Sequence, residues 1–539
     1  MTLLVRTFLA QFLNSETVTS ETQTRQAMAG VLAFLVTPGL LLLLEVFPDY
    51  QAVVIRVHAH RLAAGLIDDR LEWIVLMLCT YSMVTVGLVA AYAWDALTFD
   101  RRDALVLGPL PIRGRTIVAA KLGALAVLVL GASIAVNSLN AIVFALETSD
   151  LLGARALVSH MVGFAAATVG GALVVFAWLV TIRNGLALLG SARLNAIGGS
   201  LVQGAFVVAL LSCVVVTPFV GPHGGRFGLA GETADRLPWT WFVGLFETIR
   251  HSPRRDWPEF TMLTHRAIAA VVGSVAAALL TSILAFRQTM RAALAPAARP
   301  GPVGEARMIR FVARLLVGRD RRAAAVSDFV VTTFARNRTQ QGYVAMNVAV
   351  GVTWVLLGLM RARADVVTAL RPAPLLLAFW AMVGLRASFF VPSELEAAWT
   401  FRFHVGNESR SLFRGVRSAT LALVAPAIAA LAFAVGGWRP AVMALLVVIA
   451  LANVIVRSID FLPFTRAYEP GHARLKTRWP LYPTGCALVA YALPLAPIWA
   501  LAAGAALLHF GADRAAWHLN DAEVTEESTV TTLDLLGSA

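Results

Sequence analysis

Side chains that do covalent or metal chemistry are sparse in this chain. No Gly-x-x-x-x-Gly-Lys-Ser/Thr phosphate loop, no His-Glu-x-x-His and no Gly-x-Ser-x-Gly occurs. Cys79, Cys213 and Cys486 lie in apolar segments without a Cys-x-x-Cys spacing, so they read as core or lipid-facing residues rather than zinc ligands. His58 and His60 stand near Asp68 and Asp69, and solvated loop residues explain them better than a metal site. The polar residues inside apolar runs are Asn137, Asn140, Asn347 and Asn453, with Arg386, Arg457 and Asp460 near run ends. Buried polar groups of this kind either line a pathway or hydrogen-bond between helices. The carboxylates Glu45 and Asp95 sit near run ends, and no carboxylate pair suggesting proton coupling is visible within a run.

Two segments combine charged and apolar groups compactly. Residues 99–115 carry Phe99, Asp100, Asp103, Leu105 and Leu107 in a short amphipathic helix, which Pro109 and Pro111 end. Leu110 and Ile112 flank Pro111, and Arg113 and Arg115 open the next apolar run, which carries Lys121. This is a knob between two rigid elements, suited to docking in a groove, or else a turn with a charged rim. The second segment, Leu237–Glu247, holds Trp239, Trp241, Phe242, Gly244 and Glu247. Its aromatics belong at a headgroup layer, at an outer gate, or at both.

The elements that must position these groups are membrane spans. Of the 539 residues 58% are hydrophobic and 14% charged, where soluble domains carry about 25% charged. Apolar runs of about 20 residues, enough to cross a hydrocarbon layer of about 30 Å, recur throughout. They fall at 27–47, 71–97, 116–146, 159–182, 199–221, 267–289, 342–360, 372–391, 416–436, 440–460 and 481–510. The last contains Pro494 and Pro497 and reads as one kinked span or a re-entrant hairpin, giving eleven or twelve spans. The expected fold is an all-α, polytopic transmembrane helical bundle. Leu4, Phe8, Phe12 and Leu13 recur at helical spacing, predicting an interfacial helix before the first span.

Basic residues orient the bundle. With the N-terminus inside, inner segments carry 28 Lys and Arg and outer segments 15, which places the N-terminus in the cytoplasm. The net charge of +13 is then a membrane signature, and nucleic acid is not an expected partner. Eleven arginines in 287–341 suit anionic membrane lipids. The order of elements also looks duplicated. A first half, 1–290, includes an outer loop at 222–266. A cytoplasmic linker with a second interfacial helix follows at 291–341. A second half, 342–510, precedes an acidic tail, 511–539. Two pseudo-repeated halves of about six spans each commonly build transporters.

Four stretches in this order resemble ABC transporter permeases of the type 2 exporter family. They are Asp103 through Leu110-Pro111-Ile112 to Lys121; Leu237–Glu247; Val391–Arg402; and Leu462–Thr465 with Tyr468-Glu469-Pro470-Gly471. The resemblance implies that 99–115 is a coupling helix touching a separate ATP-binding subunit. Glu394, Trp399 and Arg402 would form the equivalent knob of the second half, although that knob lacks the Leu-Pro-Ile element. It further implies a fused two-half permease in the cell inner membrane that binds two copies of a cytoplasmic ATPase. ATP and Mg would sit on those subunits and no cofactor on this chain, which would be a transport subunit and no enzyme. A secondary transporter, or a membrane enzyme acting on lipid-linked substrates, would account for the same composition.

Overall fold

The computed structural model describes residues 2–13, 39, 43–63, 65–92, 94–97, 101–107, 109, 111–149, 153–189, 192–217, 221–223, 226–228, 236–294, 304–361, 366–391, 409–457, 459, 461–465 and 481–511. These residues are almost wholly α-helical. They divide into two compact units, one ending at Ala295 and the other starting at Pro296. Among the described residues, eight helices are long and apolar enough to cross a membrane. The chain is therefore a multi-pass, all-α membrane protein.

In the first unit α1 is Thr2–Leu13, and α2 covers 43–58. The long helices are α3, Gly65–Tyr92; α5, Gly114–Ser149; α6, Ala154–Leu188; α7, Ala192–Val216; and α9, Pro258–Leu294. Two short ones, α4 (Arg101–Leu107) and α8 (Trp241–Ile249), lie between them. Strands β1 (Gly221–His223) and β2 (Arg226–Gly228) pair antiparallel. The central helix is α3. Its neighbours α5, α6 and α7 meet it at small residues, and at Gly87 an added Cβ would lie 2.6 Å from Leu210 and 2.7 Å from Val175. Hydrogen bonds cross the same contacts. Asn137 donates to Ser82 Oγ at 2.8 Å, Ser82 donates to the Thr168 carbonyl at 3.1 Å, and Gln203 donates to the Ala91 carbonyl at 2.7 Å. Each bond of this kind contributes about 0.6 kcal/mol within a membrane.

The second unit begins with α10, Gly304–Val317, and α11, Arg321–Arg336. Its spans are α12, Arg338–Arg361; α13, Val366–Leu370, leading through a Pro372 turn into α14, Ala373–Phe389; α15, Ser409–Gly436; and α16, Trp438–Arg457. Its core joins Met382, Leu385 and Phe389 to Val416, Val448 and Phe464. Phe464 has φ +72°, in the left-handed region that bulky residues avoid. Burial holds it there: its N–H donates to the Phe389 carbonyl at 3.0 Å, and the two rings meet edge to face at 5.6 Å.

Several element boundaries differ from the sequence expectation. Helix α2 continues to residue 58, past the expected end at 47, because Tyr50 and Val54 still face the core. The expected outer loop 222–266 instead folds into the β-hairpin, α8 and the first turns of α9. The expected linker 291–341 holds α10 and α11, and α11 packs closely on α15: an added Cβ at Gly415 would lie 2.5 Å from the Ala323 carbonyl oxygen. The 481–510 segment is not one continuous helix. Leu481–Ala487 passes through a π turn and a 3-10 turn to an extended Ala496, and a helix resumes at 498–511. Pro494 and Pro497 remove the donors that would bridge this point. Most of the first expected span, 27–47, lies outside the described residues.

Candidate functional site

Helix α4 is built onto the first unit from the inside of the knob. Asp103 and Lys121 are both buried, and Lys121 Nζ donates to Asp103 Oδ2 at 2.7 Å. The ammonium also lies 5.5 Å from the centre of the Phe8 ring. Leu107 and Ile112 pack with Phe8, Ile117 and Phe286, so the apolar stripe expected on α1 is covered in part by α5. The chain turns at Pro109 and Pro111, and α5 starts at Gly114, where an added Cβ would lie 2.5 Å from the Phe286 ring. Outward from this base point Leu105, 55% exposed, and Val106, 65% exposed, with Pro109, Pro111, Arg113 and Arg115 also at the surface. Asp103 is thus an internal clip and not part of the exposed rim. Phe99, Asp100 and Leu110 lie outside the described residues, as do Glu394, Trp399 and Arg402.

The four asparagines each bond within or between helices. Asn140 donates to the Val136 carbonyl, Asn347 to Tyr343, and Asn453 to Ile449. Asn453 also accepts from Arg417 at 3.3 Å. Asn137 joins α5 to α3 through Ser82. The carboxamide oxygens of Asn137 and Asn140 are buried without a donor.

The densest charge cluster forms around α8. Phe242, Phe246 and Glu247 are fully buried, and Trp239 is nearly so, while Trp241 is half-buried. Phe144 stacks on Phe164 at 4.8 Å and meets Phe246 edge to face at 5.8 Å. These side chains are core of the first unit rather than a surface girdle. Gly244 permits this, since an added Cβ would lie 2.8 Å from the Phe260 carbonyl oxygen on α9. Arg250 donates to Asp68 at 2.6 Å, to Glu247 at 2.9 Å and to Ser252 at 3.0 Å. Arg254 donates to Asp69 at 2.7 Å, to Glu72 at 2.8 Å and to the Gly65 carbonyl at 2.7 Å.

Four carboxylates therefore face two guanidinium groups. Glu72 and Glu247 are 0% exposed, and each keeps one oxygen with no hydrogen-bond donor. Burial pushes the Glu247 carboxyl above its ordinary range despite Arg250. Burial alone would lower Arg250, but Glu247 and Asp68 hold it above its usual value. The cluster locks the end of α8 and the 3-10 turn that follows it, Pro253–Asp256, to α3, with four carboxylates against two guanidinium groups. His58 and His60 take no part: both are exposed, and the His58 ring bonds the Val54 carbonyl. Among the described residues no group of His, Cys, Asp and Glu is arranged to hold a metal.

Glu247 was a candidate from sequence, but its partners were not. Asp68 and Glu72 are four apart on one face of α3, whereas Arg250 and Arg254 lie past the end of α8, in its cap and a following 3-10 turn, where no helical period marks them. Comparison with known proteins adds no relative: no protein family, curated protein or solved structure matches this chain.

Proposed function

We propose that this chain is the membrane-spanning permease subunit of an ATP-driven exporter, worked by separate cytoplasmic ATP-binding subunits. The observation that carries the reading is the knob at α4. A helix of seven residues is clipped to α5 by the buried Asp103–Lys121 pair, yet presents Leu105 and Val106 outward beside Arg113 and Arg115. Exposed apolar groups on a rigid base with a basic rim suit a groove on a soluble partner. A push on such a base is transmitted to α5, because the clip and the Phe8–Phe286 packing leave it little freedom. The partner would bring ATP and Mg, and its alternation would rock the spans.

The test is purification of the chain from its own membrane under mild detergent, with nucleotide present. A stoichiometric phosphate-loop ATPase is expected with it. Leu105→Asp with Val106→Asp should abolish that recovery, while the unfolding free energy stays within about 0.5 kcal/mol of wild type because both sites are at the surface. Recovery of the ATPase undiminished by these changes would sink the knob assignment.

The buried acid excess at Glu72 and Glu247 favours a second reading, a proton-coupled secondary transporter. Transport by the chain alone in vesicles, driven by a pH gradient without ATP, would select it.

A further inference from the structure

Helix α10 divides its surface into three strips. Ala313 is buried, and Ile309 and Val312 pack beside it in the core of the second unit. Arg307, Arg310 and Arg314 fall on a second side, where Arg314 Nε donates to Asp328 of α11 at 3.0 Å. Met308, Phe311, Leu315 and Leu316 form the third strip, and they are 70%, 68%, 73% and 52% exposed. At 3.6 residues per turn these four share an arc of about 140°. The level of α10 is set by α11, on which it packs. Ala323 of α11 lies against Gly415, near the start of α15, and the Phe329 ring is 6.5 Å from Phe464, beyond the end of α16. Span α12 starts at Arg338, directly after α11. Three spans thus begin or end beside α11, which lies across one end of this bundle, where helices leave the hydrocarbon.

We infer that the strip Met308, Phe311, Leu315 and Leu316 is embedded in an anionic lipid leaflet, with the arginines of 307–322 at its phosphates. A contiguous exposed apolar strip on a folded helix marks an interaction surface. A bilayer surface is already present at this level of the molecule, because the spans around α11 end there. The charge matches it. Residues 304–322 hold six arginines against two acids, Glu305 and Asp320, and Asp320 is taken up in capping α11. Arg307, Arg319 and Arg321 are exposed. An apolar strip bordered by arginines lies in the plane of the interface, its side chains among the acyl chains and the guanidinium groups in the headgroup layer. The inference needs only this chain and a bilayer, so it stands or falls apart from how transport is powered.

The experiment uses the purified full chain in nanodiscs of phosphatidylcholine and phosphatidylglycerol. Two carbene reagents, one confined to acyl chains and one water-soluble, label the protein, and the modified residues are mapped by mass spectrometry. The ratio of lipid-phase to aqueous marking on the four strip residues is expected to match, within about twofold, that of Trp354 in span α12, itself 40% exposed. Phe311→Asp with Leu315→Asp should lower the ratio at Met308 and Leu316 by about tenfold or more. Trp354 should be unchanged in that variant, which shows that the spans still fold. In a second arm, photoreactive phosphatidylglycerol should mark 304–317 about fivefold more than photoreactive phosphatidylcholine at equal mole fraction, the preference that one surface arginine gives to an acidic leaflet. Arg307→Gln with Arg321→Gln should remove most of that preference. Marking of Met308 and Phe311 by the water-soluble reagent would overturn the inference and assign the strip to a soluble protein partner. Marking by neither reagent would overturn it in favour of a second copy of the chain. Equal marking by the two lipids would overturn the anionic assignment.

Discussion

Arg254→Met tests the charge cluster most directly. The guanidinium holds Asp69 at 2.7 Å and Glu72 at 2.8 Å, and Glu72 is fully buried. Methionine keeps most of the apolar volume, so the loss is chiefly electrostatic. Removing one partner of a buried pair costs about 3–5 kcal/mol, because the remaining charge is left without compensation. Asp69 is 14% exposed and can turn to water, so most of the cost falls on Glu72. With about 2 °C per kcal/mol, the lower end of the size scaling, the melting temperature should fall by roughly 6–10 °C. Glu72→Gln in the Arg254→Met background removes the stranded charge, and it should recover about 1–3 kcal/mol of the loss as a coupling energy. The assay is thermal unfolding of the four chains of this cycle in one detergent, followed by tryptophan fluorescence. A melting temperature for Arg254→Met within a degree of wild type would refute the reasoning. So would a double variant no more stable than the single one, since the two groups would then not be coupled.

Other consequences are equally measurable. Burial raises the Glu247 carboxyl above its ordinary value, so its contribution to stability is full below the unfolded pKa and is lost as pH rises through the folded one. Glu247→Gln should therefore flatten the fall in melting temperature with rising pH, and an unchanged slope would count against a raised carboxyl. Gly244→Ala would place a Cβ 2.6 Å from Leu263 and 2.8 Å from the Phe260 carbonyl oxygen. It should cost about 1–3 kcal/mol by overpacking, read from the same unfolding curves. Asp320 caps α11 by accepting from the N–H groups of Arg322 and Ala323, and it accepts from the Ser411 hydroxyl at 2.9 Å. Asp320→Ala should cost about 1 kcal/mol. The backbone bond from Ala323, chief among these, lowers the Asp320 carboxyl. Its contribution is present above the unfolded pKa and fades as pH falls through the folded one, so the variant and wild type should converge in strong acid.

The membrane class and most of the spans were legible in the sequence because hydrocarbon thickness imposes a length on every crossing helix. Apolar runs at 116–146, 159–182 and 267–289 each lie within a longer helix of the first unit. The ends were less legible. The α9 helix starts at Pro258, well before its apolar run, because Phe260 and Leu263 already pack against the α8 core. In 291–341 the sequence suggested a linker with one interfacial helix, whereas the structure holds two, α10 and α11, whose arginines blur the apolar pattern.

Composition by itself determined that the chain crosses a membrane several times, and the run of Asp103, prolines and arginines marked a knob between two spans. Tertiary structure decided what those residues do. Asp103 faces Lys121 and leaves the rim to Leu105 and Val106. Glu72 meets Arg254 across 182 residues of chain. Hydropathy is a property of a local window and is read along the chain. A buried charge, by contrast, is stable only beside a partner brought to it in space, and that pairing exists only once the helices have packed.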